Sequence, residues 1–547
     1  MPRFTEVTTF ARFLGDLPSL LRRRITPEEA RQIVQDRLRA REANFLGVLE
    51  RSVFTNPRSP YGALMRAARC EPGDVRRMLA ADGLDDTLRT LRHAGVHVAF
   101  EEYKGLVPIV RDGQVIETTE DAFDNPLIRR SFRTSTGGTT GAARPILMDV
   151  PHLLSRVPMR VLSEEIYGTR DVPLGVWFEI LPGNGASTIL QGIVAGRPAE
   201  RWFTPVLAGE GAPPFRFRAA TRAIVSTARL CGAPFPKPEH VPLDRADIIA
   251  RWAAQMIRQH GRVAISSHVS KALRVCLAAQ ELGLDLTGAV LTGGGEPPTE
   301  AKVREMRRVG AEFRGGYYTM ETGAIGLACP HAKGPNDNHF FKDHLAVIQH
   351  PRELPGFGVS VESFHFTTLL PTSPKLWINV ELDDYGVLET RSCGCDFEAL
   401  GFTDHISDIR SFRKLSGEGM TLIGNEIERV LEEELPARCG GSSQDYQLIE
   451  EEDENGLTRM SLLVSPKVDV ADERALEVLA EALSRGSVAA ALSRTIWQQG
   501  RNLRVVREEP RWTARGKLVP FRGLQRTPAA DAEDRNATPA TPAGRQR

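Results

Sequence analysis

Residues 262–318 place the tightest limit on what this chain can fold into. In order they read RVAISS, SKALRVCLAAQELG, GAVLTGGGE, TEAKVREMRRVG and AEFRGGYY. Short runs rich in apolar and β-branched residues alternate with segments of helical periodicity, with glycine at the helix ends, so the stretch predicts strand, helix, strand, helix, strand. Strands joined by helices of this length run parallel through right-handed crossovers. A parallel sheet of this kind binds its ligand beyond the carboxyl ends of its strands, and those ends carry GGGEPP and YYTMETG. An α/β class follows, with mostly parallel sheets flanked by helices in a large N-terminal domain.

The flanking sequence fills in the organisation. Residues 1–125 alternate helical patterns such as TPEEARQIVQDRLRARE with connectors such as FTNPRSPYG, which predicts a helical entry region of the large domain. The core of that domain is expected over 126–407. After about residue 405 the sequence becomes charged and glycine-punctuated, and a hairpin pattern turning at Asn455-Gly456 precedes the helical ADERALEVLAEALSRG. This predicts a small mobile α+β domain over 408–525 behind a linker near 405–412. The tail 526–547, rich in Pro, Ala and Thr, is expected to be disordered.

Lys plus Arg and Asp plus Glu both number 70. That balance gives no basic excess for nucleic acid, and no stretch has the length and hydropathy of a membrane span. The N-terminus lacks the uninterrupted apolar core of a signal peptide, so a cytoplasmic protein handling small molecules is expected, either a monomer or a homodimer. Seven cysteines spread over 547 residues fit reduced thiols or a metal site better than a disulfide framework.

RTSTGGTTGAARPILMD, residues 133–149, concentrates glycines and hydroxyls ahead of an arginine. Such a loop turns backbone N–H groups and hydroxyls toward an anion, most naturally a phosphate. It matches neither the GxxxxGK[ST] nor the GxGxxG spacing. Near the chain end, RWTARGKLVPFRG presents a Gly-Lys pair; LDDYG, at 382–386, reads on its own as a hairpin turn.

Taken in order, these segments resemble the acyl-adenylate-forming enzymes, and among them the phenylacetate–CoA ligase-like branch, over about residues 50–525. The glycine loop is similar to the family's [ST]SGTTGxPK phosphate loop, TGGGEPPT to its GGEP turn, and YYTME to its YGxTE. The resemblance implies nucleotide contacts from Ser135, Thr136, Gly137, Gly138, Thr139, Thr140, Gly141 and Arg144 in the loop. It extends them to Gly295, Glu296, Tyr317, Tyr318, Asp384 and Arg410. Tyr317 would stack on adenine, Asp384 would hold the ribose hydroxyls, Arg410 would touch ribose or phosphate, and Glu321 would hold Mg2+. Lys517, Glu321 and Thr140 are the catalytic residues so implied, with Lys517 bridging the carboxylate and the α-phosphate. Two positions depart from the pattern: Tyr318 stands where the family has glycine, and Met320 where it has a hydroxyl residue. In the hinge, Phe412 and Arg413 lie where acidic residues are usual.

The implied reaction is ATP- and Mg2+-dependent activation of a small-molecule carboxylic acid, aryl or medium acyl, to an acyl-adenylate. Transfer to a thiol follows, with coenzyme A expected and a carrier protein or an amine as alternative acceptors. A non-catalytic nucleotide-binding relative is the competing reading. Part of the acid pocket is expected from residues 177–203, with His268 either lining it or serving as a hydrogen-bonded structural histidine. Separately, Cys329 with His331 and Cys393 with Cys395 form a C-x-H and a C-x-C pair. Three thiolates and one imidazole suit a structural Zn2+, with free packed thiols as the alternative. Cys70, Cys231, Cys276 and Cys439 are expected to be core residues.

Overall fold

The computed structural model describes residues 2–128, 132–135, 145–207, 213–353, 360–411, 414–417, 420–483, 496, 497, 499–511, 518 and 520–522. Among them, a twelve-stranded sheet forms the centre of the molecule. The expected βαβαβ run is present. Val263–His268, Ala289–Gly294 and Glu312–Thr319 lie side by side as parallel strands, connected by the helices Val269–Glu281 and Glu300–Arg308. Helices cover both faces of these strands, which is why they read as unbroken apolar runs rather than alternating ones. Leu174–Trp177, Arg201–Thr204 and Pro238–His240 extend the parallel half.

The other half is antiparallel. Glu312–Thr319 turns back into Gly323–Leu327, and Asn338–Phe340, Asp404–Ser411, Val380–Thr390, Ser360–Thr368 and Leu345–Glu353 follow outward. The sheet therefore changes from parallel to antiparallel at the hairpin that carries YYTMETG. Residues 404–411, expected at the start of a linker, instead form a strand paired to Val380–Thr390 and Asn338–Phe340. Residues 2–103 are mainly helical, with a short hairpin of Ile109–Arg111 and Gln114–Ile116 after them; the helix Pro27–Arg39 begins at Thr26, whose hydroxyl accepts from Glu29 N–H.

The C-terminal lobe holds a four-stranded sheet ordered Leu503–Val506, Thr458–Val464, Tyr446–Glu452, Phe521–Arg522. Its central hairpin turns at Asn455-Gly456, with Gly456 at φ 79°, a left-handed conformation that glycine adopts without a Cβ penalty. The hairpin end docks on the helix Glu300–Arg308. There Lys302, wholly buried, donates to Thr458 Oγ1 at 3.0 Å and lies 3.5 Å from Glu452 and 3.6 Å from Glu296. One hydrophobic cluster runs from Trp177 and Phe313 of the large domain through to Tyr446, Leu462 and Trp497 of the lobe. In this arrangement the lobe is joined to the body by a dry interface and a buried ion cluster. The expected tail 526–547 lies outside the described residues, and no helix of the described residues is long and apolar enough to cross a membrane.

Candidate functional site

The hairpin at the centre of the sheet brings two of the expected segments together. Tyr317 Oη donates to Asp384 Oδ2 at 2.6 Å, and Ser411 Oγ donates to the other oxygen of the same carboxylate. Residues 67 positions apart thus meet across the end of the parallel strands. Burial and the adjacent Asp384 carboxylate hold the Tyr317 phenol well above its ordinary range, so it remains a donor. Arg410, on the neighbouring strand, pairs across to Tyr385 and stabilises that phenol's ionised form against burial.

Tyr318 is 38% exposed, and its ring lies against Gly294 of the neighbouring strand and Gly316 of its own. A Cβ on Gly294 or Gly316 would collide with that ring. The glycine-rich GGGE turn therefore receives an aromatic side chain here, at a register shift between Tyr317 and Tyr318. Gly295 follows at φ 85°. The Glu296 carboxylate accepts from Ser270 N at 2.7 Å and Ser270 Oγ at 2.6 Å and faces Lys302, so it is committed within the protein.

Glu321 is 8% exposed. Among the described residues its carboxylate has neither a hydrogen-bond nor an ion-pair partner, and its electrostatic neighbours are the phenols of Tyr103 and Tyr317. A buried carboxylate without a partner is costly unless a cation joins it. That chemistry suits the oxygen donor of a Mg2+ site. Ser135 ends the strand Phe132–Ser135, paired to Pro145–Met148. Thr136, Gly137, Gly138, Thr139, Thr140, Gly141 and Arg144, like Lys517, Phe412 and Arg413, lie outside the described residues.

Deeper in the parallel half, His268 ends its strand against Phe178 and opposite Glu179. Lys271, wholly buried, forms an ion pair with Glu179. Burial opposes ionisation of Glu179, but Lys271 and His268 outweigh it and hold the carboxyl well below its usual range. His268 Nδ1 also lies 3.3 Å from Gly294 O.

A second cluster lies on the antiparallel half. Cys329, Cys393 and Cys395 converge as expected, but the imidazole among them belongs to His339. His331, which the C-x-H spacing singled out, instead faces Cys393 O through Nδ1 at 2.8 Å, on the exposed side. The reason is the strand Asn338–Phe340: it carries His339 inward, opposite His405 on Asp404–Ser411, whereas His331 sits in a turn after Cys329. All four ligand atoms lie within 4.8 Å of one another. Cys329 Sγ is 3.9 Å from Cys393 Sγ, while His339 Nε2 is 3.4 Å from Cys393 Sγ and 3.1 Å from Cys395 Sγ. Bond lengths of about 2.3 Å to sulfur and about 2.0 Å to nitrogen put tetrahedral ligand atoms roughly 3.5–3.8 Å apart, so the set fits zinc. His339 Nδ1 donates to Phe402 O at 2.6 Å, which leaves the Nε2 lone pair directed at the thiols. Burial, then His405, pushes the imidazole down to about 4, so it is neutral at physiological pH and able to ligate. Glu398 holds the C-x-C turn from outside by accepting from Cys393 N at 2.7 Å and Gly394 N at 2.6 Å. Of the other cysteines, Cys276 and Cys439 are buried, Cys70 is half-buried and Cys231 is exposed, contrary to its expected place in the core. Cys231 follows the last turn of the helix Phe215–Leu230, where the chain leaves its packed face.

The architecture is matched by a solved structure. The chain superposes on 2-hydroxyisobutyryl-CoA ligase, in complex with 2-HIB-AMP and CoA in the thioesterification state, with a TM-score of 0.53 at 14% identity. The match covers 91% of this chain and 92% of that one. The chain shares the fold of that ligase. Looser likenesses are to the amide bond synthetase McbA from Marinactinospora thermotolerans and to the anthranilate CoA ligase AuaEII. The first is 14% identical over 89% of this chain and 97% of that one, with a TM-score of 0.39. The second is 11% identical over 79% and 74%, with a TM-score of 0.33. No family model and no curated protein matches the chain. Within the ligase fold, the YYTME hairpin lies where the parallel and antiparallel halves meet, and the Cys/His cluster lies on the antiparallel side.

Proposed function

We propose that this protein uses ATP to convert a carboxylic acid to its acyl-adenylate and then passes the acyl group to a thiol, that of coenzyme A. The observation that carries the reading is the convergence of Tyr317 and Asp384 beside Glu321, a buried carboxylate without a hydrogen-bond or ion-pair partner among the described residues. The fold shared with a CoA ligase that holds an acyl-AMP supports it.

The chemistry follows from charge. A carboxylate attacking the α-phosphorus of ATP brings two anions together, a repulsion of several kcal/mol in a water-poor site. Cations and N–H donors placed before the reaction offset it. The loop 136–144 is assigned to the outgoing phosphates, with Arg144 at its end, and Lys517 to the attacking oxygen and the α-phosphate. Glu321 would hold Mg2+, which when bound neutralises charge on the phosphates. Tyr317 offers a ring face to the base, and Asp384 accepts from the ribose hydroxyls once Ser411 or Tyr317 gives way. Met320 leaves one polar contact of the family's pattern unmade. His268, Phe178 and the Glu179–Lys271 pair lie at the ends of the parallel strands, where the acid is assigned.

For the second step the C-terminal lobe turns about a pivot beginning after Ser411, because the strand through Ser411 is held in the sheet. The domains are thus assigned as an entry region to 125, a core to 411 and the lobe beyond it. Cys329, His339, Cys393 and Cys395 are assigned to a structural Zn2+ that ties the turn 393–395 to the sheet.

Incubating the protein with ATP, Mg2+, coenzyme A and a panel of aryl and medium-chain acids, with mass detection of acyl-AMP and acyl-CoA, tests the reading. Acyl-AMP from at least one acid is expected. ATP binding with no acyl-AMP from any acid would favour the non-catalytic alternative. An acyl-AMP that coenzyme A does not consume would move the acceptor to a carrier protein or an amine.

A further inference from the structure

Behind the YYTMETG hairpin lies a cavity of about 30 Å³, lined by His152, Ser155 and Arg156 of the helix Val150–Ile166, by Thr322 and by His344 and Ser373. Thr322 immediately follows Glu321. The helix follows the strand Pro145–Met148, which closes the glycine loop. The cavity therefore sits one to two helical turns beyond that loop.

Its polar groups lack partners. His152 is 2% exposed, and neither ring nitrogen makes a hydrogen bond, although the backbone of Thr372 lies close to the ring. His344 donates through Nδ1 to Asp343 and leaves Nε2 buried without a partner. Arg156 packs on Gly323, and among the described residues it has no ion-pair or hydrogen-bond partner. Its electrostatic neighbours are the Tyr318 phenol and Arg160 rather than a carboxylate. Burial lowers the guanidinium to about 10, so it remains a cation at neutral pH. Arg156 itself is half-buried at the cavity wall; water could satisfy imidazole nitrogens, but it does not neutralise a half-buried cation.

We propose that this cavity is an oxyanion site in which Arg156, with His152 and His344, takes a phosphoryl group. The source is either the terminal phosphate of a bound nucleotide or free pyrophosphate. A space of this size holds about two water-sized oxygens, enough for one edge of a phosphoryl group and too small for a nucleoside. Glu321 and its cation would lie on one side of the anion and Arg156 on the other. The inference rests on the ATP reading above for the identity of the polyphosphate, and it adds a residue and a location that the loop motif does not contain.

Calorimetric titration of the full chain and of Arg156→Gln and Arg156→Lys with inorganic pyrophosphate, ATP and AMP tests it. Arg156→Gln is expected to lose about tenfold or more in affinity for pyrophosphate, for ATP or for both, the scale of a lost charge-assisted contact. AMP binding stays within about twofold, and Arg156→Lys retains part of the gain. A loss confined to ATP makes the nucleotide the source, and a loss confined to pyrophosphate makes it the free anion. Unchanged affinity for both overturns the site. So does a fall in the ligand-free melting temperature of Arg156→Gln, because an uncompensated cation should not stabilise the empty protein. Acid-dependent acyl-AMP formation by the wild type alongside unchanged Arg156→Gln binding would overturn this site alone. Arg156-dependent pyrophosphate binding without acyl-AMP from any acid would overturn the ATP reading alone.

Discussion

Lys302 is a wholly buried cation and Arg156 a half-buried one, and their surroundings differ in kind. Lys302 lies between Glu296 and Glu452 with Thr458 completing its shell. Arg156 faces the imidazoles of His152 and His344 and hydroxyls across a small cavity. The first arrangement is closed and spans two lobes; the second is open to a counter-ion that the described residues do not supply. A compensated buried charge reads as structure, and an uncompensated one reads as a place for a ligand.

Mutation should separate the two. Lys302→Met removes the cation and strands Glu296 in the interior, which costs about 3–5 kcal/mol by the measure of broken buried pairs. A large fall in melting temperature is expected, and a melting curve like that of the wild type would show that the cluster carries no such load. Arg156→Gln should leave that curve where it is or raise it.

The Cys/His cluster extends the contrast to a metal. His339→Ala is expected to abolish stoichiometric zinc in the purified protein, whereas His331→Ala keeps it; elemental analysis of both variants reads the difference, and equal zinc contents would remove His339 from the set. Glu398 acts on the backbone of the C-x-C turn rather than on the metal. Glu398→Gln should therefore weaken zinc retention against a chelator only by about tenfold, the low end for outer-shell changes.

The smallest effect belongs to pH. The Glu179 carboxyl is held below its usual range by Lys271 and His268 against the cost of burial. Its contribution to stability is full above the ordinary carboxyl range near 4.5 and falls away as pH drops below it. Lys271→Met with Glu179→Leu should flatten the acid limb of a stability–pH profile, and an unchanged limb would show that other carboxylates set it.

Much of this was legible before any coordinates. The βαβαβ run and the hairpin at Asn455-Gly456 follow from periodicity and turn chemistry, whereas a common site for Tyr317 and Asp384 was implied only by the family resemblance. The antiparallel half was not legible, because its strands are buried on irregular patterns and its pairings join residues 338–340 to 404–411, a separation that local periodicity does not report. His339 was missed for a related reason. The C-x-H spacing pointed to the nearest histidine in sequence, while a strand reversal brings in one ten positions from Cys329. Arg156 carries no motif, and what marks it is the absence of a partner among the described residues, which only three-dimensional placement reveals. Tyr318 broke the family pattern at a glycine, and the strand beside it accommodates the ring with Gly294.

The central claim is that the groups around Glu321 bind ATP so that an acid can attack its α-phosphorus. Acid-dependent exchange of labelled pyrophosphate into ATP measures that step directly. The account predicts exchange with at least one acid, reduced about a hundredfold or more in Lys517→Ala, as when one preorganised charge donor is lost, and also reduced in Glu321→Gln. Exchange at the wild-type rate in both variants would contradict it.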